Sequence, residues 1–380
     1  MARRTTAGLG GLLALALLLA PTAQAGDEAA TQRSLARAMA AAGSHSGAYV
    51  VDLDTGEKLY SRRGRVPRVP ASVNKLYTTA VALMRFGEGG TLVTEVRADH
   101  APDPATGVVE GNLYLRGGGD PTFGTTAAQT LAAVLTQTQG ITAVTGRVIG
   151  DESAWDGLRG GPDSAYGVSE WVGPLSALTF NRGRTGRNRP FWQPSPPRAA
   201  AKGLKRALTA AGVDVALKPR AGETPDGAVS LARWASPTMA QIVAATNVQS
   251  DNFNAESLLK ALGERFGAGG TTASGASVVR GSVADFDARP QIVDGSGLSR
   301  ANRTSARDVV RLLAGTPRRT VPRSRARSRS RPAPARSTTA CAAPRPASAA
   351  GRRPGRSSAS PRSPATARAA PPTTPPSPSS

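Results

Sequence analysis

From Thr316 to Ser380 the chain carries no Leu, Ile, Phe, Trp, Tyr or Met, and a single Val. Such a stretch has almost no apolar surface to remove from water. It cannot offset the entropy of ordering, so residues 316–380 are expected to be a disordered tail rich in Arg, Pro, Ser and Ala. Whatever this chain folds into must be built before that point. The same segment accounts for most of the charge. A formal net charge of +22 invites a nucleic-acid reading, but fourteen Arg and neither Lys nor any acid lie from Thr316 onward. Subtracting them leaves +8, and about +6 without Arg3 and Arg4. That is ordinary for a body of this size, so no specific nucleic-acid partner is expected. The competing reading of the tail is a basic extension that holds anionic wall polymers or nucleic acid by charge alone, which predicts salt-sensitive binding lost on truncation at Gly315.

The other end has a different character. Arg3 and Arg4 precede an apolar run from Leu9 to Ala20, and Ala23-Gln24-Ala25 offers small residues in an A-x-A pattern. This predicts a signal peptide over residues 1–25, cleaved after Ala25, and a secreted, extracytoplasmic protein in the periplasm or cell wall. The run is short for a bilayer, which needs roughly 20 residues, so no stable membrane span is expected after cleavage. Cys341 is the sole cysteine, which excludes an intrachain disulfide. His45 and His100 are the only histidines, both in polar, loop-like surroundings. A zinc site of the usual kinds is therefore not expected, a histidine-based triad is poorly supplied, and no metal or cofactor is assigned.

Between these ends the pattern is mixed. A helix from Thr31 to Gly43 is followed by two β-rich runs around Asp54-Thr55-Gly56, which predicts a hairpin. The segment ASVNK, residues 71–75, then opens a helix with Leu76, Ala80, Leu83 and Met84 at helical spacing and Gly87 as its stop. From Thr91 to about Ser176 the texture alternates in the β manner, with one helix over Thr126–Gln139. Another helix is expected over Arg198–Gly212. Ser236-Pro237 reads as the cap and first turn of a further helix. AESLLKALGERFG predicts another, with Leu258, Leu259 and Leu262 on its apolar side. Ser305 and Asp308 read as the capping box of a last short one. Glycine-rich RGGGDP, from Arg116, lacks the following G-K-[ST] of a phosphate loop and is taken as a turn.

Chemistry enters with Ser72 and Lys75. Three apart at a helix start, they share a face and can touch. A serine hydroxyl needs a neighbouring base to become a nucleophile, and a lysine serves if its pKa is depressed. The helix N-terminus adds N–H groups that favour developing negative charge. Alone, S-x-x-K occurs by chance in many chains. Ser250-Asp251-Asn252 makes chance a poorer account: a second hydroxyl can relay a proton to a leaving amine, and an asparagine amide can grip a peptide C=O and N–H together. The plainer alternative is that these three residues cap the next helix. S-x-x-K with S-D-N forms part of the signature of class A β-lactamases and penicillin-binding proteins.

PASVNK, SDN and DGSGLSRANRTSARDVV together resemble the D-alanyl-D-alanine carboxypeptidase/endopeptidase family of low-molecular-mass penicillin-binding proteins, as do GNLYLRGGGDPTF and PLSALTFNRG. The resemblance covers roughly residues 27–315. It implies an α/β (α+β) fold: a penicillin-binding/β-lactamase-like transpeptidase core, an antiparallel sheet with helices on both sides, formed by 26–90 and 236–315, with an inserted β-rich domain over 91–235. It implies Ser72 as acylated nucleophile, Lys75 as its base, Ser250 as proton relay and Asn252 as substrate-amide anchor. The substrates would be peptidoglycan stem peptides cut at D-Ala-D-Ala or at a D-Ala cross-link, with β-lactams as covalent inhibitors. Two alternatives remain: a non-catalytic wall-binding protein that keeps the pocket, and a β-lactamase, against which the long insertion speaks.

One part of the family's pattern is missing. No K-T-G, K-S-G or H-T-G follows Ser250-Asp251-Asn252, and no lysine follows Lys260. In the family that motif binds the substrate carboxylate, and a nearby N–H completes the oxyanion hole. One lost hole donor alone costs on the order of 10² to 10³ in turnover. Arg184-Thr185-Gly186 lies in the inserted region and reads as a loop. The tail's residues have codons that can be very rich in G and C, as an out-of-frame reading of a GC-rich gene would give. That predicts a frameshift near residues 316–320, and translation of the other two frames should reveal Lys-Thr-Gly followed by strand-like sequence.

Overall fold

The computed structural model describes residues 22–186 and 192–316. The expected tail beyond Thr316 and most of the expected signal peptide lie outside them, as does Cys341. The chain opens with α1 (Thr22–Ala41) and a hairpin of β1 (Ala48–Val51) and β2 (Lys58–Arg62). The hairpin is antiparallel, with Ala48 opposite Arg62 and a register shift at Val50/Val51. Its turn closes because the Asp52 carboxylate accepts the N–H groups of Asp54 and Thr55, and because Gly56 takes a φ of +76°. Among the described residues, the antiparallel sheet expected in the core consists of this hairpin and isolated bridges that join Arg68 to Thr304 and Gln291 to Arg303. The last helix, α8 (Ala306–Gly315), packs on β1.

A 3-10 turn, Ala71–Asn74, leads directly into α2 (Lys75–Phe86). Gly87 ends α2 with a φ of +79°. The buried residues of α2 run from Lys75 through Ala82, and Met84 is exposed. The helix is thus surrounded for its first two turns rather than burying one stripe, because α5 (Met239–Val248), α6 (Asn252–Phe266) and α7 (Thr272–Ala284) all pack on it.

The chain next builds two small sheets. The first has five strands in the order β10-β3-β5-β7-β9, where β3 is Val93–Ala98, β5 Leu113–Arg116, β7 Val148–Asp151, β9 Arg220–Ala221 and β10 Val229–Ala235. Its β10-β3-β5 half is antiparallel and its β5-β7-β9 half parallel. The second sheet is parallel, β4 (Val108–Val109), β6 (Ala143–Val144) and β8 (Asp214–Val215). Parallel neighbours need crossovers, and the helices α3 (Thr125–Gln137) and α4 (Pro196–Ala210) supply them. Their apolar residues, such as Leu131, Leu135, Leu204 and Leu208, share one core with Val96, Leu113, Leu115 and Val148.

A second core gathers around the helices α2, α5 (Met239–Val248), α6 (Asn252–Phe266) and α7 (Thr272–Ala284). The start of α5 differs from expectation. Its cap is Thr238, which forms a capping box with Gln241. The Ser236 hydroxyl instead accepts the Leu92 N–H at 2.9 Å and donates to the Pro237 carbonyl at 2.7 Å. The cap-forming serine was drawn away by a strand end 144 positions distant. The Ser305–Asp308 capping box of α8 is present. Helix α6 is buried on every side from Phe253 to Gly263, including Glu256 and Lys260. Lys260 is paired with Asp156 and the Leu158 carbonyl, as a buried charge must be.

Candidate active site

The turn before α2 sets Ser72 on the surface and swings Lys75 inward. The Lys75 side chain is 2% exposed, while Ser72 is open to solvent. Lys75 Nζ lies 3.2 Å from Ser72 Oγ and donates to the Ser296 carbonyl at 2.7 Å. From the other side Ser250 Oγ stands 2.9 Å from Ser72 Oγ, across 178 positions of chain. Ser72, Lys75 and Ser250 therefore meet at one oxygen. Burial holds the Lys75 ammonium below its ordinary pKa of 10.5, and the charges of Glu256, Asp294 and Asp251 oppose that fall.

Ser250 sits in the turn between α5 and α6 with a φ of +52°. Asp251 is the N-cap of α6, accepting the Asn254 N–H at 3.0 Å. The capping alternative for Ser-Asp-Asn is thus correct for its middle residue. Asp251 also binds Arg182 Nη2 through both oxygens, at 2.9 and 2.8 Å, and the Arg182 guanidinium lies 4.9 Å from the centre of the Phe253 ring. These contacts pin the turn, which leaves its outer residues to face the site. Asn252 gives one amide hydrogen to the Trp171 carbonyl at 3.2 Å. Ser250 and Asn252 border a cavity of about 200 Å³ whose walls include Trp171, Arg182, Arg184 and Trp192. Arg184-Thr185-Gly186 is a loop; Arg184 pairs with Trp192 across an isolated bridge. His45 and His100 are exposed and take no part in the site.

Behind Lys75 lies machinery that spacing did not reveal. The loop Asp294–Ser299 passes beneath the lysine. Asp294 accepts the N–H groups of Gly297 at 2.8 Å and Ser299 at 2.6 Å, and the Asn302 amide at 2.8 Å. Asn74 donates to the Asp294 carbonyl at 2.8 Å, tying the motif turn to this loop. Glu256 accepts the N–H groups of Gly295 and Ser296. Burial pushes the Glu256 carboxyl up to about 7 and raises Asp294 as well. Gly297 has a φ of +89°, and a Cβ there would lie 1.9 Å from the Ala71 carbonyl, so only glycine lets the loop reach the turn. The one signal in sequence was a lone acid inside the apolar run of α6.

The fold is that of a penicillin-binding protein. Penicillin-binding protein 4 from Haemophilus influenzae superposes with a TM-score of 0.59 at 17% identity, covering 70% of this chain and 74% of that one. The same protein solved with a novel β-lactam gives a TM-score of 0.56 at 17% identity, over 72% and 74%. The chain belongs to the D-Ala-D-Ala carboxypeptidase 3 (S13) family, whose profile matches residues 29–189 and 191–322. Carboxypeptidase DacB of Mycolicibacterium smegmatis is 31% identical over 73% of this chain and 62% of its own length. A D-alanyl-D-alanine carboxypeptidase of Actinomadura sp. is 37% identical over 38% of this chain and 27% of its own. The chain thus spans less than two thirds of either curated relative.

Proposed function

We propose that this chain is a serine D-Ala-D-Ala carboxypeptidase/endopeptidase that acts outside the cytoplasm on peptidoglycan stem peptides through an acyl-enzyme on Ser72. The observation that carries the reading is the Ser72 hydroxyl held between Lys75 Nζ at 3.2 Å and Ser250 Oγ at 2.9 Å. In this scheme neutral Lys75 takes the Ser72 proton as Oγ attacks the carbonyl carbon of the penultimate D-Ala. The tetrahedral adduct collapses with loss of the terminal D-Ala amine, which receives that proton by way of Ser250. Water then attacks the ester and frees Ser72. Asn252 anchors the substrate amide with its remaining amide groups. A β-lactam enters the same way, but its leaving group stays attached and the ester persists.

Residues 26–90 and 236–315 form the peptidase core in this reading, with 91–235 inserted. One hydrophobic core drawing all its buried residues from Val96 to Ala232 supports that division. A leader removed after Ala25 accords with extracytoplasmic action, and no helix among the described residues is long and apolar enough to cross a membrane. A second reading has one specific support: no K-T-G follows Ser250-Asp251-Asn252. It makes the chain a wall-binding protein with an impaired pocket. Labelling with a fluorescent penicillin separates the two. A covalent adduct that vanishes in Ser72→Ala is expected; a chain that forms no adduct removes the peptidase reading. Rapid turnover of the adduct would instead indicate a β-lactamase.

A further inference from the structure

We infer that Glu256 is a positioning residue for the acylation step: by fixing residue 296 from within α6, it aims Lys75 at Ser72. The inference rests on the reading of Ser72 and Lys75 as nucleophile and base. Three observations carry it. Glu256 is fully buried, in a stretch of α6 enclosed from Phe253 to Gly263. Its Oε1 accepts the N–H groups of both Gly295 at 3.1 Å and Ser296 at 2.8 Å, and its Oε2 shares the Gly295 N–H at 3.1 Å. Ser296 then presents its carbonyl to Lys75 Nζ at 2.7 Å, the shorter of the two contacts that orient the lysine. The peptide that carries this carbonyl is held at its other end by Asp294, which accepts the Gly297 N–H at 2.8 Å. The lysine therefore rests on a platform gripped by two carboxylates from below.

The platform is best served by an acceptor-only group. A carboxylate offers both oxygens to the two N–H donors, whereas a carboxamide keeps one oxygen for them and sets its own N–H against that of Gly295. An apolar residue would leave both unpaired in the interior. A carboxylate so deeply placed is costly unless its charge is matched. The ionisable groups around it are Lys75 on α2, Asp294 on the loop, Lys260 one turn along α6, Asp163 facing Asp294, and Asp251 at the start of α6. Lys260 is paired with Asp156 and shares the charge of Glu256 with Lys75, whose ammonium Glu256 favours more than any other neighbouring acid does. Removal of the carboxylate charge thus both loosens the carbonyl that aims Lys75 and withdraws a charge that favours its ammonium form.

The test uses the full chain with 15N-labelled lysine. The Lys75 Nζ resonance is assigned by its loss in Lys75→Arg and titrated in wild type and Glu256→Gln, and fluorescent-penicillin acylation is timed across pH in both. The expected result is a Lys75 titration displaced to lower pH, with acylation slowed on the order of tenfold to a hundredfold, the scale of a misplacement near 1 Å. A Glu256→Gln protein that melts cooperatively yet shows the wild-type Lys75 titration and acylation rate overturns the inference. Should Glu256→Gln not fold, Glu256→Asp keeps the charge and shortens the reach. Slowed acylation or a displaced Lys75 titration then supports the role, and wild-type values of both refute it. If wild type takes up no penicillin, the acyl-enzyme reading fails, while the Lys75 titration still decides the part played by Glu256.

Discussion

At the scale of single residues, the site is governed by how one lysine is kept partly short of its charge. Burial lowers the pKa of Lys75, and three carboxylates keep the fall from being larger. In the proposed scheme its neutral form is the base, so acylation should rise with pH and level off at an inflection below the ordinary value of 10.5. A labelling-rate profile measures this, and a flat profile in the alkaline limb would exclude lysine as base. Ser72, Lys75, Ser250 and Asn252 could be picked out as candidates in the sequence because each pair is local and its residue types suit the proposed chemistry. Glu256 and Ser296 were not. They lie 40 positions apart, and only the tertiary fold joins them.

At the scale of elements, the least expected feature is how closely α6 and α7 approach. A Cβ on Gly275 would lie 1.9 Å from the Leu259 carbonyl, and one on Gly263 would lie 2.7 Å from the Gly275 nitrogen. Two helix-interior glycines, each costing roughly 1 kcal/mol of helix propensity, are kept because the backbones touch there. Gly275→Ala should therefore destabilise the protein despite its better helix propensity, by about 1–3 kcal/mol, the usual penalty of overpacking. Urea unfolding monitors this, and an unchanged midpoint would show that the helices can separate without loss. Periodicity placed most helices within a few residues. It misplaced the cap of α5, because Ser236 was claimed by Leu92 rather than by its own helix. Hydrophobic spacing likewise could not show that α2 and α6 are enclosed on all sides, since enclosure depends on what packs against them.

For the whole molecule, pH should read out the burden of the buried carboxylates. The Glu256 carboxyl moves from an ordinary 4.5 to about 7 on folding. Between those values the folded state binds the extra proton, so this group's contribution to stability is fully present below about 4.5 and is lost as pH rises through 7. Melting temperatures at pH 5 and pH 8 should differ in that direction, and the difference should shrink in Glu256→Gln. An identical pH dependence in both proteins would mean that another group is responsible. The two sheets of the middle segment illustrate what sequence can and cannot say at this scale. Alternation announced strands, but the split of one sheet into antiparallel and parallel halves follows from α3 and α4 as crossovers, which alternation does not encode.

The left-handed backbone at Ser250 carries a consequence of its own. An L-residue with a side chain pays about 1–2 kcal/mol to adopt that conformation, whereas glycine does so freely. Ser250→Gly should consequently unfold at higher temperature than the parent while, in the proposed scheme where Ser250 relays the proton, its acylation slows by a factor on the order of 10² to 10⁴. Tolerance of heat and competence in catalysis would then pull in opposite directions at a single hydroxyl.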